Sequence, residues 1–144
     1  MRSLLQREKG FTLIEIVLVL AIAGLLLVIV FLAVSGAQAS RRDTQRKSDL
    51  GRLYGQLESY ASNNSGTYPT TAQFSGATFA AYLPSNFNDP TTGATYVLTG
   101  GATAGNITYT IGSGTTCDGA ANANARVFTL RMQLEQGIAC RDNK

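Results

Sequence analysis

The longest apolar run of the chain lies near its beginning and predicts a membrane-spanning helix. From Phe11 to Val34 every residue is apolar or small except Thr12 and Glu15. A helix over these positions rises about 36 Å, whereas the hydrocarbon core of a bilayer is about 30 Å thick. Because the run is long enough to span a bilayer, we expect residues 11–34 to stay in the mature protein as a transmembrane or filament-core helix.

The next segment, residues 35–64, predicts an amphipathic continuation of the same helix. Leu50, Leu53, Leu57 and Tyr60 recur at spacings of three and four, which places them on one stripe of a helix. The helix is predicted to end at residues 63–66, since Gly66 tolerates the left-handed backbone of a helix cap and Pro69 blocks continuation.

Residues 65–144 predict a small globular domain with an antiparallel sheet. Strands are expected over residues 94–99, 106–111 and 125–135, and the last two show strict alternation of apolar and polar positions. The glycine-rich segment 100–105 is typical of a hairpin between the first two strands, and residues 77–83 predict a short helix stopped by Pro84. The fold class is therefore α+β, with the leucine stripe of the long helix packed on the sheet.

The amino-acid composition excludes sites that depend on histidine. The chain has 144 residues, a formal net charge of +3 and no histidine, which excludes imidazole metal sites and histidine-based catalytic triads. Its carboxylates are not clustered, so we expect no enzymatic activity, no cofactor and no metal.

A run of charged side chains follows the apolar segment, and its role is open. The residues are Arg41, Arg42, Asp43, Arg46, Lys47, Asp49 and Arg52. The sequence allows a solvated helix face or ion pairs between subunits of an assembly. Helical spacing also permits the pairs Asp43–Lys47 and Asp49–Arg52. Binding of DNA or anionic headgroups is a weaker reading, because no aromatic residues interleave with the basic ones.

Glu15 is the one ionisable residue inside the apolar run. An ionised carboxylate costs about 2.5–3.5 kcal/mol at the centre of a bilayer, and less near a helix start, where the helix dipole favours it. Glu15 either reaches back to the headgroups or pairs with a positive group. A free α-amine made by cutting before Phe11, in the same chain or a neighbour, would supply that group.

The segment Lys9-Gly10-Phe11-Thr12-Leu13-Ile14-Glu15, followed by a long apolar helix, resembles the class III signal of type IV pilins and pseudopilins. The resemblance implies that residues 1–10 are a leader, that a prepilin peptidase cuts between Gly10 and Phe11, and that Phe11 becomes N-methylated. It further implies that Glu15 pairs with the N-terminal amine of an adjacent subunit during assembly.

The resemblance also implies partners and a location. These are further copies of the chain in a helical filament, the prepilin peptidase, and an assembly platform with its ATPase. The subunit would wait in the cytoplasmic membrane as a single-pass protein with its N-terminus inside, and then join an extracellular filament. Charge does not settle this orientation, because basic residues flank the apolar run on both sides.

Cys117 and Cys140 are the only cysteines. In a domain held outside the membrane they are expected to form a disulfide bounding a C-terminal loop, which is also a pilin feature, whereas in a cytoplasmic protein they would be free thiols. By analogy with pseudopilins, Asp89 or Asp118 could bind calcium, although isolated loop aspartates are usually turn formers. Thr91 and Thr92 stand where pseudopilins usually have tryptophan-glycine.

Three functions follow from these patterns. The leading hypothesis is a structural subunit of a type IV pilus, supporting adhesion, twitching motility or DNA uptake. The second is a minor pilin or a pseudopilin of a secretion or DNA-uptake system. The third is a monomeric, membrane-anchored binding module, which would need neither cleavage after Gly10 nor the carboxylate of Glu15.

Overall fold

The computed structural model describes residues 10–99, 103–112 and 114–144. Its backbone contacts divide the chain into two compact units, with the boundary between Gln38 and Ala39. We call residues 39–144 the globular unit. The predicted leader, residues 1–10, lies outside the described residues except for Gly10.

The first element is the helix α1, Leu13–Asn63, which is unbroken through Gly24 and Gly36. It ends as predicted, because the N–H of Gly66 donates to the carbonyl of Ala61 at 2.8 Å and the chain turns left-handed. The left-handed residue next to the helix is Ser65, with φ 56°, and Gly66 follows with φ 77°. This 6→1 bond is the Schellman pattern of helix ends.

Two short helices follow, α2 (Thr71–Phe74) and α3 (Ala77–Ala80). The predicted helix over 77–83 is therefore present but shorter, and α2 was not predicted. Thr70 and Gln73 cap α2 reciprocally, with the Thr70 N–H donating to Gln73 Oε1 at 2.9 Å. The two helices bring Phe74 and Phe79 to the core.

The strands are β1 (Ile107–Ile111), β2 (Gly114–Thr115), β3 (Ala121–Asn122), β4 (Phe128–Leu134) and β5 (Gly137–Asp142). Three of them form an antiparallel sheet of order β1-β4-β5, in which Tyr109 pairs with Leu130 and Arg131 with Cys140. The remaining two, β2 and β3, form a separate two-stranded ribbon.

The core joins α1 to the sheet as the alternation predicted. Leu50, Leu53, Leu57 and Tyr60 are buried together with the apolar side of β1 and β4. The rings of Tyr54 on α1 and Phe128 on β4 lie 5.4 Å apart, and those of Phe74 and Tyr109 lie 4.4 Å apart. The long helix and small antiparallel sheet confirm the α+β, pilin-like fold class.

One strand prediction was wrong. Residues 94–99 form no strand, because this segment folds back on Asp89, whose N–H donates to the Ala94 carbonyl at 2.8 Å. An isolated bridge, Asn88 to Thr95, is present. Two backbone hydrogen bonds accompany it: the Tyr96 N–H donates to the Phe87 carbonyl at 3.4 Å, and the Ile107 N–H donates to the Val97 carbonyl at 2.8 Å. The hairpin expected at 100–105 loses its first strand, and its residues 100–102 lie outside the described part of the chain.

The sequence analysis also missed the short strands β2 and β3 and, with more effect on the sheet, the strand β5. Cys140 was placed after the last strand, yet it lies within this one. All residues of β5 are exposed or half-buried, Ile138 among the exposed ones, so the strand lacks the apolar alternation that marks β4. A readable signal was Gln136-Gly137, since Gly137 adopts φ 111° directly after β4.

Candidate functional site

The N-terminal end of α1 is built around Thr12 and Glu15. The Glu15 Oε2 atom accepts hydrogen bonds from the backbone N–H and the hydroxyl of Thr12, both at 2.8 Å. In return, the Glu15 N–H donates to Thr12 Oγ1 at 3.4 Å. This reciprocal pair is a capping box, which satisfies donors left unpaired at a helix start.

Sequence reasoning assigned Glu15 a partner outside its own helix and did not consider the cap. The signal was present, because threonine followed three positions later by glutamate is the spacing of a capping box. Phe11 precedes the cap, with its side chain 86% exposed, so the bond between Gly10 and Phe11 lies just outside the first helical turn. Both Gly10 and Glu15 are also exposed.

An apolar surface follows the cap. All large apolar side chains from Phe11 to Val34 are exposed in the single chain. By length and composition, α1 is able to cross a membrane, and none of its most apolar window is buried. A Cβ added at Gly24 or Gly36 would meet nothing within 4 Å among the described residues. These side chains therefore require a lipid or protein environment that the monomer does not provide.

The charged run after the apolar segment is a solvated helix face only in part, since Arg41, Lys47 and Arg52 are exposed. Asp43, Arg46 and Asp49 are buried, and the Arg46 side chain is 1% exposed. Burying an unpaired guanidinium would be costly, so its partners decide whether the arrangement is stable.

Arg46 is held by three carboxylates from three parts of the globular unit. Its Nε and Nη2 atoms donate to the two oxygens of Asp89, at 2.7 and 3.2 Å. Its Nη1 donates to Asp43 at 3.0 Å and to Glu135 at 2.9 Å. The hydroxyl of Thr91 accepts a further bond from Nη2 at 2.7 Å. We call Arg46, Asp43, Asp89 and Glu135 the Arg46 cluster.

The surrounding backbone completes this cluster. Asp43 accepts the N–H groups of Glu135 and Gln136 at 3.0 and 2.9 Å, which fixes the turn between β4 and β5 to α1. Arg42 grips Glu135 with two bonds, at 2.6 and 2.7 Å. The cluster therefore ties α1 to the β4–β5 turn and to the loop at Asp89.

The pKa values of the three acids are all lowered. Hydrogen bonds from Arg42 and then Arg46 lower the pKa of Glu135 to about 2. Burial of Asp89 and of Asp43 opposes ionisation, but hydrogen bonds from Arg46 and backbone N–H groups outweigh it and lower both pKa values. The cluster is therefore fully ionised near neutral pH.

These contacts also settle the roles of the other charged residues named from the sequence. The Asp49–Arg52 pair is present at 3.1 Å, whereas Asp43 pairs with Arg46 rather than Lys47.

Asp89 shapes its loop by accepting the N–H groups of Thr91 and Thr92, as a turn former does. Asp118 likewise accepts the Thr116 hydroxyl and the ammonium of Lys144. Within the described residues, no group of three or more acidic or cysteine side chains is placed to hold a metal ion.

Cys117 and Cys140 form a disulfide across a separation of 23 residues. It joins the loop after β2 to the edge strand β5. The N–H of Cys117 also donates to Asp142 at 2.8 Å, so the loop is held to β5 by a covalent and a polar contact.

Comparison with known proteins identifies the N-terminal segment. Residues 5–31 match the family model described as the prokaryotic N-terminal methylation motif. The predicted resemblance to type IV pilin-like proteins is confirmed. The chain is 41% identical over 69 residues to the type II secretion system core protein G of Klebsiella pneumoniae, covering 48% of this chain and 49% of that protein.

A second relative, the core protein G of Dickeya chrysanthemi, is 39% identical over 72 residues, covering 50% of this chain and 46% of that protein. This chain thus spans about half the length of the curated relatives it matches. No solved structure matches it.

Proposed function

We propose that this chain is a processed structural subunit of a type IV pilin-like filament. Residues 1–10 are the leader, residues 11–34 anchor the subunit in the membrane and later form the filament core, residues 35–64 continue the helix, and residues 65–144 complete the globular domain. The observation that carries the proposal is an exposed apolar helix, most of whose apolar part lies within the matched methylation motif, residues 5–31. Assembly buries that helix against copies of itself.

Cleavage before Phe11 would create the charge that Glu15 needs. The new α-amine stands one residue before Thr12, whose N–H already donates to Glu15. An ammonium from a neighbouring chain can share this carboxylate, since an ionised carboxylate has further acceptor sites after binding Thr12. Prepilin peptidase, the assembly platform and its ATPase are the partners that this scheme requires.

The similar proteins favour one of the two systems that use such a filament, a secretion system or a surface pilus. Both are named core protein G of a type II secretion system, which supports the pseudopilin alternative over a surface pilus. A surface pilus with roles in adhesion or twitching motility remains the second candidate. The location of the assembled filament separates the two.

The first experiment follows processing and location together. Cells are sheared, the released material is pelleted, and the intact mass and N-terminal peptide are measured in the pellet and in the membrane. A chain that begins at methylated Phe11 in a sheared filament supports a surface pilus, and the same chain in a cell-bound filament supports a pseudopilin. Gly10→Ser should abolish processing, and a chain that still begins at Phe11 in this variant would refute the cleavage site.

A matched pair of variants separates pairing from capping at Glu15. Glutamine serves in a capping box as glutamate does, so Glu15→Gln keeps the cap and removes the charge. Glu15→Val removes both. If the carboxylate pairs with the amine, both variants insert in the membrane but assemble poorly. Normal assembly of Glu15→Gln, with failure of Glu15→Val, would show that the cap alone matters.

A further inference from the structure

A groove of about 430 Å³ lies between α1 and the edge strand β5 of the globular unit. Lys47 and Arg141 line it, together with Leu50 and the disulfide. A Cβ at Gly51 would stand 3.9 Å from the Arg141 Nη2 atom, so the guanidinium lies beside the helix at a position without a side chain. The groove thus brings two cations to one place.

Neither cation is neutralised within the described residues. Lys47 and Arg141 take part in none of the ion pairs or side-chain hydrogen bonds there. Asp142 also lines the groove, and it accepts the N–H of Cys117. Two positive charges against one negative charge leave the groove suited to a further carboxylate.

Among the described residues of the globular unit, one carboxylate outside the groove has no cationic partner. Most acids in its described part bind a cationic side chain, namely Asp43, Asp49, Asp89, Asp118 and Glu135. Apart from Asp142 in the groove, this leaves Glu58, which binds no cation: its two oxygens accept the Tyr68 hydroxyl, each at 3.0 Å, and it also accepts a hydrogen bond from Tyr54. Glu58 is half-buried on α1 and retains free acceptor sites.

Glu58 cannot reach Lys47 of its own chain. Lys47 and Glu58 are eleven positions apart on α1, which places them on nearly the same face but about 16 Å apart along the axis. We propose that Glu58 of one copy docks against Lys47 and Arg141 of the next copy in the filament. This inference rests on the proposed function, and it adds a contact between globular units to the burial of the apolar helices.

The proposed contact between Glu58 and the groove is heterologous, which is the type of contact found in helical filaments. It joins two different patches of the same unit, so each copy offers a groove to one neighbour and a carboxylate to another. Such heterologous contacts propagate into open helical assemblies when the rotation does not close a ring. The occupant of the groove is therefore a second copy of this chain.

A zero-length carbodiimide cross-link tests the contact in filaments of the full-length, processed chain. The reagent couples the Lys47 amine to the Glu58 carboxylate as an amide, with water lost to the carbodiimide. We expect a linked pair of peptides that contain Lys47 and Glu58, and its absence from Glu58→Gln filaments. A link within one chain is excluded by the axial separation of about 16 Å. Intact filaments in which Lys47 links elsewhere or not at all would overturn the proposal.

Charge exchange provides a second test. Lys47→Glu and Glu58→Lys should each lower filament yield by about fivefold, and the two changes together should recover it to within about twofold, because the pair is restored with its signs exchanged. Arg126→Glu is the matched control, since Arg126 is an exposed cation outside the groove. Wild-type yield from the single variants, or no recovery in the double variant, would refute the contact. Absence of any filament from the unmodified chain would instead refute the proposed function.

Discussion

Replacing Arg46 by methionine should destabilise the globular unit more than any surface change. Methionine keeps much of the length and apolar contact of the arginine stem but removes the guanidinium. Asp43 and Asp89, with side chains 7% and 6% exposed, then remain as buried carboxylates without a cation. The Glu135 side chain is 24% exposed and keeps its ion pair with Arg42, so the loss of Arg46 destabilises its charged form less.

The magnitude follows from this burial. Removing one partner of a buried ion pair costs about 3–5 kcal/mol, a large share of the roughly 5–15 kcal/mol that stabilises a typical domain. With a urea dependence of about 2 kcal/mol per molar, the unfolding midpoint should fall by about 1.5–2.5 M. The unfolding midpoint of Arg46→Lys should lie between those of the unmodified chain and Arg46→Met. An ammonium keeps the charge but cannot bind Asp89 with two parallel hydrogen bonds.

The assay is urea unfolding of the full chain in detergent, followed by near-ultraviolet circular dichroism of the tyrosines, since the chain has six tyrosines and no tryptophan. Arg126→Met serves as the control because Arg126 is exposed and lies outside the Arg46 cluster. A loss below about 1 kcal/mol for Arg46→Met would refute the reasoning. It would mean that the desolvation of these charges cancels their attraction.

Three further predictions concern the same unit. Lowered pKa values in Asp43, Asp89 and Glu135 stabilise the fold above their unfolded values near pH 4, and this contribution should fade towards pH 2 in acid titrations of stability. Replacing both cysteines by serine should cost about 3 kcal/mol in urea unfolding, because the loop is no longer closed. Gly105→Ala should lower the thermal midpoint, since Gly105 has φ 89° and the new Cβ would stand 2.5 Å from Asp89 Oδ2, whereas Gly93→Ala, with φ 68° and open space, should lower it less.

The outcomes that contradict these three are equally direct. An unchanged stability between pH 4 and pH 2 would show that the acids are not held ionised by Arg42 and Arg46. Equal midpoints for the cysteine-free and oxidised chains would remove the disulfide from the stabilising contacts. Equal losses for Gly105→Ala and Gly93→Ala would show that only backbone strain, and not the approach to Asp89, matters at Gly105.

Local patterns predicted the elements whose signals are local. The apolar run predicted the first half of α1, and the stripe of Leu50, Leu53 and Leu57 predicted which side of its second half is buried. Strict alternation predicted β1 and β4 because one side of each strand faces the core. β5 escaped prediction because its residues are exposed or half-buried on both sides, so it has no buried apolar face to show such alternation.

The sequence by itself determined the N-terminal segment, since its signal motif and its apolar length are read from neighbouring positions. The Thr12–Glu15 cap has an equally local signal, although sequence reasoning did not use it. Only the tertiary structure decided which residues of the charged run are buried and which partners they bind. Arg46 looks like a solvent residue among its neighbours, and its main partners lie 43 and 89 positions further along the chain. Periodicity reports which side of a helix is apolar, but whether a charge can be buried depends on carboxylates that folding brings to it.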